Sequence, residues 1–299
     1  MELEPANVAS IRRYARGALV RADALHAVPV PIDDVAAAMR FATPTDLYRL
    51  GGVAPGLLER FAQLRSKVLG ALDLREHVIY LDRNLAVERQ RLHHGHELGH
   101  SVLPWHEAAY FGDDRYTLDP ETAEQLEAEA TRFSVELLTG IDGFRDQAAE
   151  YRMGLGAPLD LAERWKLSRT VVIRRYVQSH GTACGLIVIG RYPGPGGVKI
   201  LQATESAAFR SKYGRLGDLV GGWLEVSQHE LASAALEILQ NGSPEPVVSG
   251  TFRPRSGDPL TFEMTSNGYR LFALVYAPSR LILGRRVRPV WSSAPALPR

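Results

Sequence analysis

The residue types best suited to hydrolytic chemistry are His96, Glu97 and His100, which follow the order His-Glu-x-x-His. On a helix, residues four positions apart lie about one turn apart on the same face. The two imidazoles can therefore bind one tetrahedral Zn²⁺, while Glu97 reaches a water held by the metal without binding the metal itself. The spacing predicts a zinc centre with a general base. The alternative is a helix that carries these side chains by coincidence, so the rest of the chain has to be considered.

A second helix is predicted downstream of this motif. Asp119 suits the N-cap, Pro120 suits the first helical position, and Gly140 ends the pattern. The apolar side chains between them recur at helical spacing, at Ala123, Leu126, Ala130, Phe133, Leu137 and Leu138.

One glutamate of this second helix is predicted to be the third zinc ligand, because two histidines do not complete a zinc site. In projection the apolar positions span an arc of about 140°, and Glu127 falls inside it. A carboxylate on a core-facing stripe is costly unless it is paired or bound to a metal. The alternative is an ion pair between Glu127 and Arg91 or Arg132. The other glutamates project outside the arc: Glu121, Glu124, Glu129 and Glu136.

Together the two motifs resemble the ImmA/IrrE family of metallopeptidases. The run VIYLDRNLAVERQRLHHGHELGH precedes an E-x-x-A-x-x-F-x-x-x-LL pattern that begins at Glu127. The resemblance covers roughly residues 5 to 180. It implies a minimal, gluzincin-type zincin fold with His96, His100 and Glu127 as zinc ligands and Glu97 as the general base. It also implies a substrate, since members of the family cleave helix-turn-helix transcriptional repressors and so release genes of mobile elements or of the DNA-damage response.

The chain departs from this family at His93 and Gly95, where threonine and alanine are usual. His93 projects near both zinc histidines, as a hydrogen-bonding partner, a competing ligand or an exposed helix residue. His94 projects away from the metal and is expected to be solvated. In the loop of residues 104–118, three side chains are candidates to donate a hydrogen bond to the oxyanion. They are His106, Tyr110 and Tyr116, of which Tyr116 is preferred.

Two further strand and helix predictions bear on recognition. His77–Asp82 is predicted to be a strand just before the motif helix. An exposed strand there can pair with an extended peptide substrate; the alternative is a plain sheet strand, and the two interpretations are compatible. Pro158–Val177 is predicted to form a helix, a tight turn and a second helix. Arg169, Arg174 and Arg175 suggest DNA binding, but the near-neutral chain disfavours it.

Beyond residue 182 the pattern indicates antiparallel strands and one helix from Ser227 to Leu239. The predicted strands are Cys184–Ile189, Val198–Gln202, Pro246–Phe252, Leu260–Met264, Tyr269–Ala277 and Leu281–Gly284. The predicted fold class is therefore α+β. The expected domains are a zincin-like peptidase at 1–145, a helix-turn-helix-like segment at 146–181 and an α+β domain at 182–290. Some IrrE-type members carry a GAF-like sensor in the last position, and a docking or dimerising domain is the alternative. Residues 291–299 are expected to be a disordered tail.

Composition sets the remaining limits. A net charge of +1 gives no field that favours nucleic acid or an anionic membrane. The single cysteine, Cys184, excludes an intrachain disulfide and a cysteine-based zinc cluster. No apolar run of about 20 residues is present, and the N-terminus lacks the apolar core of a signal peptide, so a cytoplasmic protein without a membrane contact is expected.

The sequence thus predicts a cytoplasmic zinc endopeptidase with a repressor protein as its substrate. One alternative is a zincin-like protein that sequesters a repressor without cutting it, and another is a DNA-binding regulator. The sequence does not distinguish Zn²⁺ from Mn²⁺ as the metal in the cell. It also gives no indication of the oligomeric state.

Overall fold

The computed structural model describes residues 3–42, 44–46, 70–73, 77–106, 109, 119–241, 248–253 and 258–277. The chain divides into two compact units. The first comprises Met1–Phe144 and Glu163–Ser168, and the second comprises Arg145–Ala162 and Arg169–Arg299. Tyr110, Tyr116, a strand expected at Leu281–Gly284 and the expected tail at 291–299 lie outside the described residues.

The first unit combines helices with a small sheet. Its helices are α1 (Pro5–Arg21), α2 (Ile32–Ala38), α3 (Val87–Val102) and α4 (Pro120–Leu138), and its strands are β1 (Thr45–Asp46), β2 (Gly70–Asp73) and β3 (Val78–Leu81). Helix α3 carries the His-Glu-x-x-His motif, and α4 carries Glu127. The two predicted helices are therefore confirmed.

The ends of α4 follow the predicted chemistry. The side chain of Asp119 accepts hydrogen bonds from the backbone N–H groups of Glu121 and Thr122, and Pro120 occupies the first turn. At the other end, the chain leaves the helix through Gly140, whose φ of +57° is a conformation that side chains with a Cβ rarely adopt. These caps fix where along the chain the helix presents Glu127.

Strand β3 lies in the middle of its sheet, which has the order β1-β3-β2. It pairs with β1 in parallel and with β2 in antiparallel orientation. The expectation of a strand within His77–Asp82 is confirmed at Val78–Leu81, and of its two interpretations the structure favours the plain sheet strand. Both of its edges take part in the sheet, and among the described strands β2 is the edge strand beside α3.

Two glycines let α3 and α4 pack closely. A Cβ at Gly95 would lie 2.6 Å from Ser134 Oγ, and a Cβ at Gly99 would lie 3.1 Å from Phe133 Cδ1 and 3.2 Å from the backbone of Ala130. The latter atoms belong to main chain and to a fully buried ring, so they have little room to move. This close approach brings Glu127 of α4 to the histidines of α3.

Replacing Gly99 with valine is therefore expected to separate the two helices. Overpacking of this kind lowers the free energy of unfolding by about 1–3 kcal/mol. Gly17→Val in α1 is the matched control, because a Cβ at Gly17 meets nothing within 4 Å and valine is a slightly better helix former than glycine. Urea unfolding of both variants tests the prediction, and equal stabilities would contradict it.

The second unit is built on one antiparallel sheet with the order β6-β5-β4-β9-β8-β7. Its helices are α5 (Gly143–Ala148), α6 (Gly156–Trp165), α7 (Arg169–Ser179), α8 (Ala207–Tyr213), α9 (Leu216–Val220) and α10 (Glu230–Asn241). The first residues of α5 and the last residues of α6 are assigned to the first unit. Its strands are β4 (Cys184–Gly190), β5 (Gly197–Glu205), β6 (Trp223–Glu225), β7 (Val248–Phe252), β8 (Leu260–Ser266) and β9 (Arg270–Tyr276).

One face of this sheet packs on α8, α9 and α10, which bury Phe209, Leu216 and Leu231 against it. Helix α7 packs against β4 and β5. The predicted α+β class is confirmed, and five of the strands lie where the apolar runs predicted them. Strand β6 and helices α8 and α9 were not predicted. In the ranges that the structure describes, no helix combines the length and the apolarity needed to cross a membrane.

Candidate metal centre

The side chains of His96, His100 and Glu127 converge at the contact between α3 and α4. His96 Nε2 lies 3.1 Å from His100 Nε2 and 3.1 Å from Glu127 Oε2. His100 Nε2 lies 3.6 Å from Glu127 Oε1. Among the residues that the structure describes, these three form the one group of histidine, cysteine and acidic side chains that meets the distances of a metal site.

The spacing of these atoms fits a metal ion. Ligand atoms about 2.0–2.1 Å from a tetrahedral zinc ion lie about 3.3 Å from one another. The observed separations of 3.1, 3.1 and 3.6 Å lie close to that value, with one oxygen of Glu127 facing His96 and the other facing His100. Two imidazole nitrogens and a carboxylate also form a common catalytic donor set for zinc.

The two arginines that were the alternative partners of Glu127 bond to other groups. Arg91 donates hydrogen bonds to the carbonyl oxygens of Val30 and Lys166, and Arg132 pairs with Glu136. The Glu127 side chain is 43% exposed, whereas those of His96 and His100 are 15% and 4% exposed. The cluster is thus buried on its histidine side and open to solvent on its carboxylate side.

The helical projection predicted the wrong burial for two other glutamates of α4. Glu129 and Glu136 were expected on the outer face, but they are 1% and 0% exposed. The reason is that α4 packs against α1 as well as α3, so its buried arc is wider than one apolar stripe. Asn7 of α1 donates to Glu129, and Arg12 of α1 pairs with Glu136.

Glu129 is held by four hydrogen-bond donors. Its Oε2 accepts from Trp105 Nε1 at 2.6 Å and from His106 Nε2 at 3.1 Å. Its Oε1 accepts from Gln125 Nε2 at 2.9 Å and from Asn7 Nδ2 at 3.1 Å. Burial opposes ionisation of Glu129, but the hydrogen bonds from Gln125, Trp105 and His106 outweigh it and hold the pKa of this carboxyl below its usual value.

His106 lies behind the metal cluster. Its side chain is fully buried, with Nδ1 at 2.9 Å from His100 Nδ1 and Nε2 at 3.1 Å from Glu129 Oε2. Burial lowers the pKa of His106 even though the hydrogen bond to Glu129 acts in the opposite direction. Of the three candidates for the oxyanion donor, His106 is therefore the wrong one, because both of its nitrogens bond to His100 and Glu129.

A family model described as an IrrE N-terminal-like domain, Peptidase_M78, matches residues 56–176. These residues include the three converging side chains and Glu97. Residues 56–176 are thus similar to the Peptidase_M78 family. A solved structure of a Mycobacterium tuberculosis transcriptional regulator is similar to the chain at a TM-score of 0.46 and 17% sequence identity, over 89% of this chain and 80% of that chain. No curated protein is significantly similar to the chain.

The family match supports a metallopeptidase kind of domain, and Glu97 is the residue that the sequence predicts as its base. Glu97 is 8% exposed and lies on α3 next to His96. It does not belong to the group of three donors. A general base that acts on a metal-bound water must not itself be a ligand of the metal.

The other two histidines of the motif segment occupy different surroundings. His94 was expected to be solvated, but it is 2% exposed, and its Nδ1 lies 3.3 Å from Asp33 Oδ1. The expectation was wrong because α2 packs on this side of α3. His93 is partly buried, and desolvation, followed by the charge of His96, lowers its pKa. His93 does not belong to the converging group.

The oxyanion donor proposed from the sequence, Tyr116, lies outside the described residues, as does Tyr110. Their role in the M78 domain stays a prediction.

Proposed function

We propose that the chain is a zinc-dependent, site-specific endopeptidase that cleaves a helix-turn-helix transcriptional repressor in the cytoplasm and so derepresses stress-response or mobile-element genes. The observation that supports this proposal most is the convergence of His96, His100 and Glu127 at distances suited to a metal ion. The buried carboxylate of Glu97 belongs to the same helix as the two histidines. The family match supports the metallopeptidase part. Manganese in the cell is an alternative to zinc, since its ligand preferences overlap.

In this proposal His96, His100 and Glu127 hold the metal. A zinc ion held there would supply Lewis-acid polarisation of the scissile carbonyl and would lower the pKa of a bound water to about 7. The Glu97 carboxylate takes a proton from the attacking water and returns it to the nitrogen of the leaving amine. Its low exposure keeps bulk water from competing for that proton. Tyr116 is proposed to donate to the oxyanion.

The edge strand β2 gives the substrate a place to bind. Strand β2 packs against α3, and within the described part of the sheet only one of its edges is paired. We propose that an extended segment of the repressor pairs with the other edge and lies across the metal site. Main-chain pairing of this kind binds a peptide in a fixed direction, while side-chain pockets select the sequence.

The partner is proposed to be a protein rather than DNA. Arg174 donates to Gln202 Oε1 at 2.6 Å, and burial lowers its pKa. Arg175 is 5% exposed. Helix α7 lies against its own sheet, so two of its three arginines are engaged within the second unit. This packing leaves little of the helix for a DNA groove, which supports a protein substrate.

The second unit is proposed to be a GAF-like sensor domain, an assignment that its single antiparallel sheet with helices on it supports. If the domain senses a small molecule, a low-molecular-weight extract of stressed cells should raise the rate at which the full chain cleaves its partner. An unchanged rate would favour a docking or dimerising domain.

Removal of the third donor tests the metal assignment. Glu127→Gln keeps the shape of the side chain but removes its charge. We expect the affinity for zinc to fall by more than the roughly 10–100-fold that follows loss of a hydrogen-bonding partner of a ligand. Glu124→Gln, an exposed position one turn earlier in α4, is the control and should bind zinc like the wild type. Competition with a chromogenic chelator measures both.

The substrate can be found with a Glu97→Gln variant used as bait in the native lysate. Captured proteins are then mixed with wild-type chain and zinc, and their intact masses are recorded. A helix-turn-helix protein split at one bond by wild type, and left whole by the variant, is the expected result. A partner that is retained but never cut would favour the alternative of a sequestering protein. Capture of DNA without a protein would favour a DNA-binding regulator.

A further inference from the structure

Behind the metal cluster, three buried side chains form a hydrogen-bonded chain that runs from His100 to His106 to Glu129. The first link joins the Nδ1 atoms of the two histidines at 2.9 Å, and the second joins His106 Nε2 to Glu129 Oε2 at 3.1 Å. All three residues are at most 3% exposed. A chain with so little access to water must satisfy its donors and acceptors internally.

The proton positions in this series of hydrogen bonds follow from Glu129, which lies at its inner end. The Glu129 carboxylate receives four hydrogen bonds, which favours its ionised, acceptor-only form. His106 must therefore donate through Nε2. A neutral imidazole that carries its proton on Nε2 has a lone pair on Nδ1, and that atom faces His100.

The outer link then assigns the proton of His100. Because His106 Nδ1 accepts, His100 Nδ1 must be the donor. The remaining nitrogen of His100, Nε2, is left with a lone pair, and this atom is the one that faces His96 Nε2 and Glu127. Every link in the chain is consistent with a single arrangement of protons.

We propose that His106 is a positioning residue that fixes the tautomer and ring orientation of His100, so that its Nε2 lone pair points at the metal. This inference rests on the proposed function, because it requires that the cluster binds a metal. A carboxylate usually contacts a ligating histidine directly. Here an additional imidazole lies between the two, and Glu129 acts on His100 only through it.

His96 has a different hydrogen-bonding partner, and that partner does not fix the tautomer of His96 as His106 fixes that of His100. Its Nδ1 lies 3.2 Å from Thr131 Oγ1. A hydroxyl can donate or accept, so Thr131 does not select one tautomer of His96. The His100 ring is also the more buried of the two, at 4% side-chain exposure against 15%. Loss of its partner therefore leaves a buried N–H without an acceptor, which is costly.

The affinity for zinc of the full chain tests this inference, with competition against a chromogenic chelator as the readout. His106→Leu fills the space but offers no acceptor to His100, and it is expected to weaken binding about 10–100-fold. His106→Asn places a carbonyl oxygen near the position of Nδ1, so it should recover most of the affinity. His94→Leu is the matched control, because His94 is equally buried but bonds to Asp33; it should bind zinc like the wild type.

A second measurement needs no variant. In ¹⁵N-histidine NMR spectra of the zinc-loaded wild type, His106 is expected to carry its proton on Nε2 and His100 on Nδ1. Either ring in the opposite tautomer would overturn the inference, as would a folded His106→Leu variant with wild-type zinc affinity. If the wild type binds no zinc, the proposed function fails as well. If it binds zinc and only the His106 results fail, the proposed function stands without the positioning role.

Discussion

Replacing His100 with alanine is expected to abolish both metal binding and peptide cleavage. The substitution removes one of three donors and leaves His96 Nε2 and Glu127 with no third atom to complete the set. It also removes the partner of His106 Nδ1. Without the metal, the pKa of the attacking water is no longer lowered toward neutrality, so cleavage should fall below detection.

Native mass spectrometry of the purified chain measures the metal part of this prediction. The wild type should carry one zinc ion per chain and His100→Ala none at the same free zinc concentration. His94→Ala, in the same helix but bonded to Asp33, should keep the zinc. A His100→Ala protein with a full equivalent of bound zinc would show that the cluster is not the metal site.

Replacing Glu97 with glutamine is expected to separate metal binding from catalysis. Glu97 does not belong to the donor group, so the variant should bind zinc with wild-type affinity. The amide of glutamine cannot accept a proton from the attacking water. General base catalysis contributes about 10²–10⁴-fold, and the rate of cleavage should fall by that factor at an unchanged zinc content.

A time course of partner cleavage at saturating zinc measures this loss. Glu88→Gln, in the first turn of the same helix, controls for the change of charge and should cleave like the wild type. If Glu97→Gln cleaved at the wild-type rate, the base would have to be another residue and the proposed mechanism would be wrong.

The sequence predicted the metal cluster because its information is local. The histidines lie one turn apart in a single helix, and Glu127 lies in a helix with clear caps at Asp119 and Gly140. The argument for Glu127 was nevertheless incomplete, because it assumed that α4 buries a single apolar face. In the structure α4 packs on two helices and also buries Glu129 and Glu136.

The surroundings of the cluster could not be predicted in the same way. Glu129 depends on Asn7, which is 122 positions away, and His94 depends on Asp33. Such partners come together only through the packing of α1 and α2 on the site helices. The aromatic pair Trp105-His106 soon after the motif helix indicated that His106 lies near the site. The sequence could not show which way the His106 side chain points.

The strands of the second unit could be predicted from the sequence more completely than those of the first unit, and the reason is physical. The strands of the second unit are mostly five to nine residues long and pair in antiparallel neighbours, so their apolar patterns indicate them clearly. The strands of the first unit are two to four residues long. Strand β3 was predicted from its run of β-prone residues, but β1 and β2 are too short for a periodic pattern. Pairing with a peptide was therefore considered at β3, although among the described strands β2 is the edge strand beside α3.

The central claim is that this chain hydrolyses a protein with the help of a metal held by His96, His100 and Glu127. Its most direct test is the intact mass of the captured partner, incubated with metal-free wild-type chain before and after addition of one equivalent of zinc. We predict a whole partner without zinc and, after addition, two fragments whose masses sum to that of the partner plus one water. Cleavage that persists in the metal-free protein, or a partner that stays whole after zinc is added, would contradict the claim.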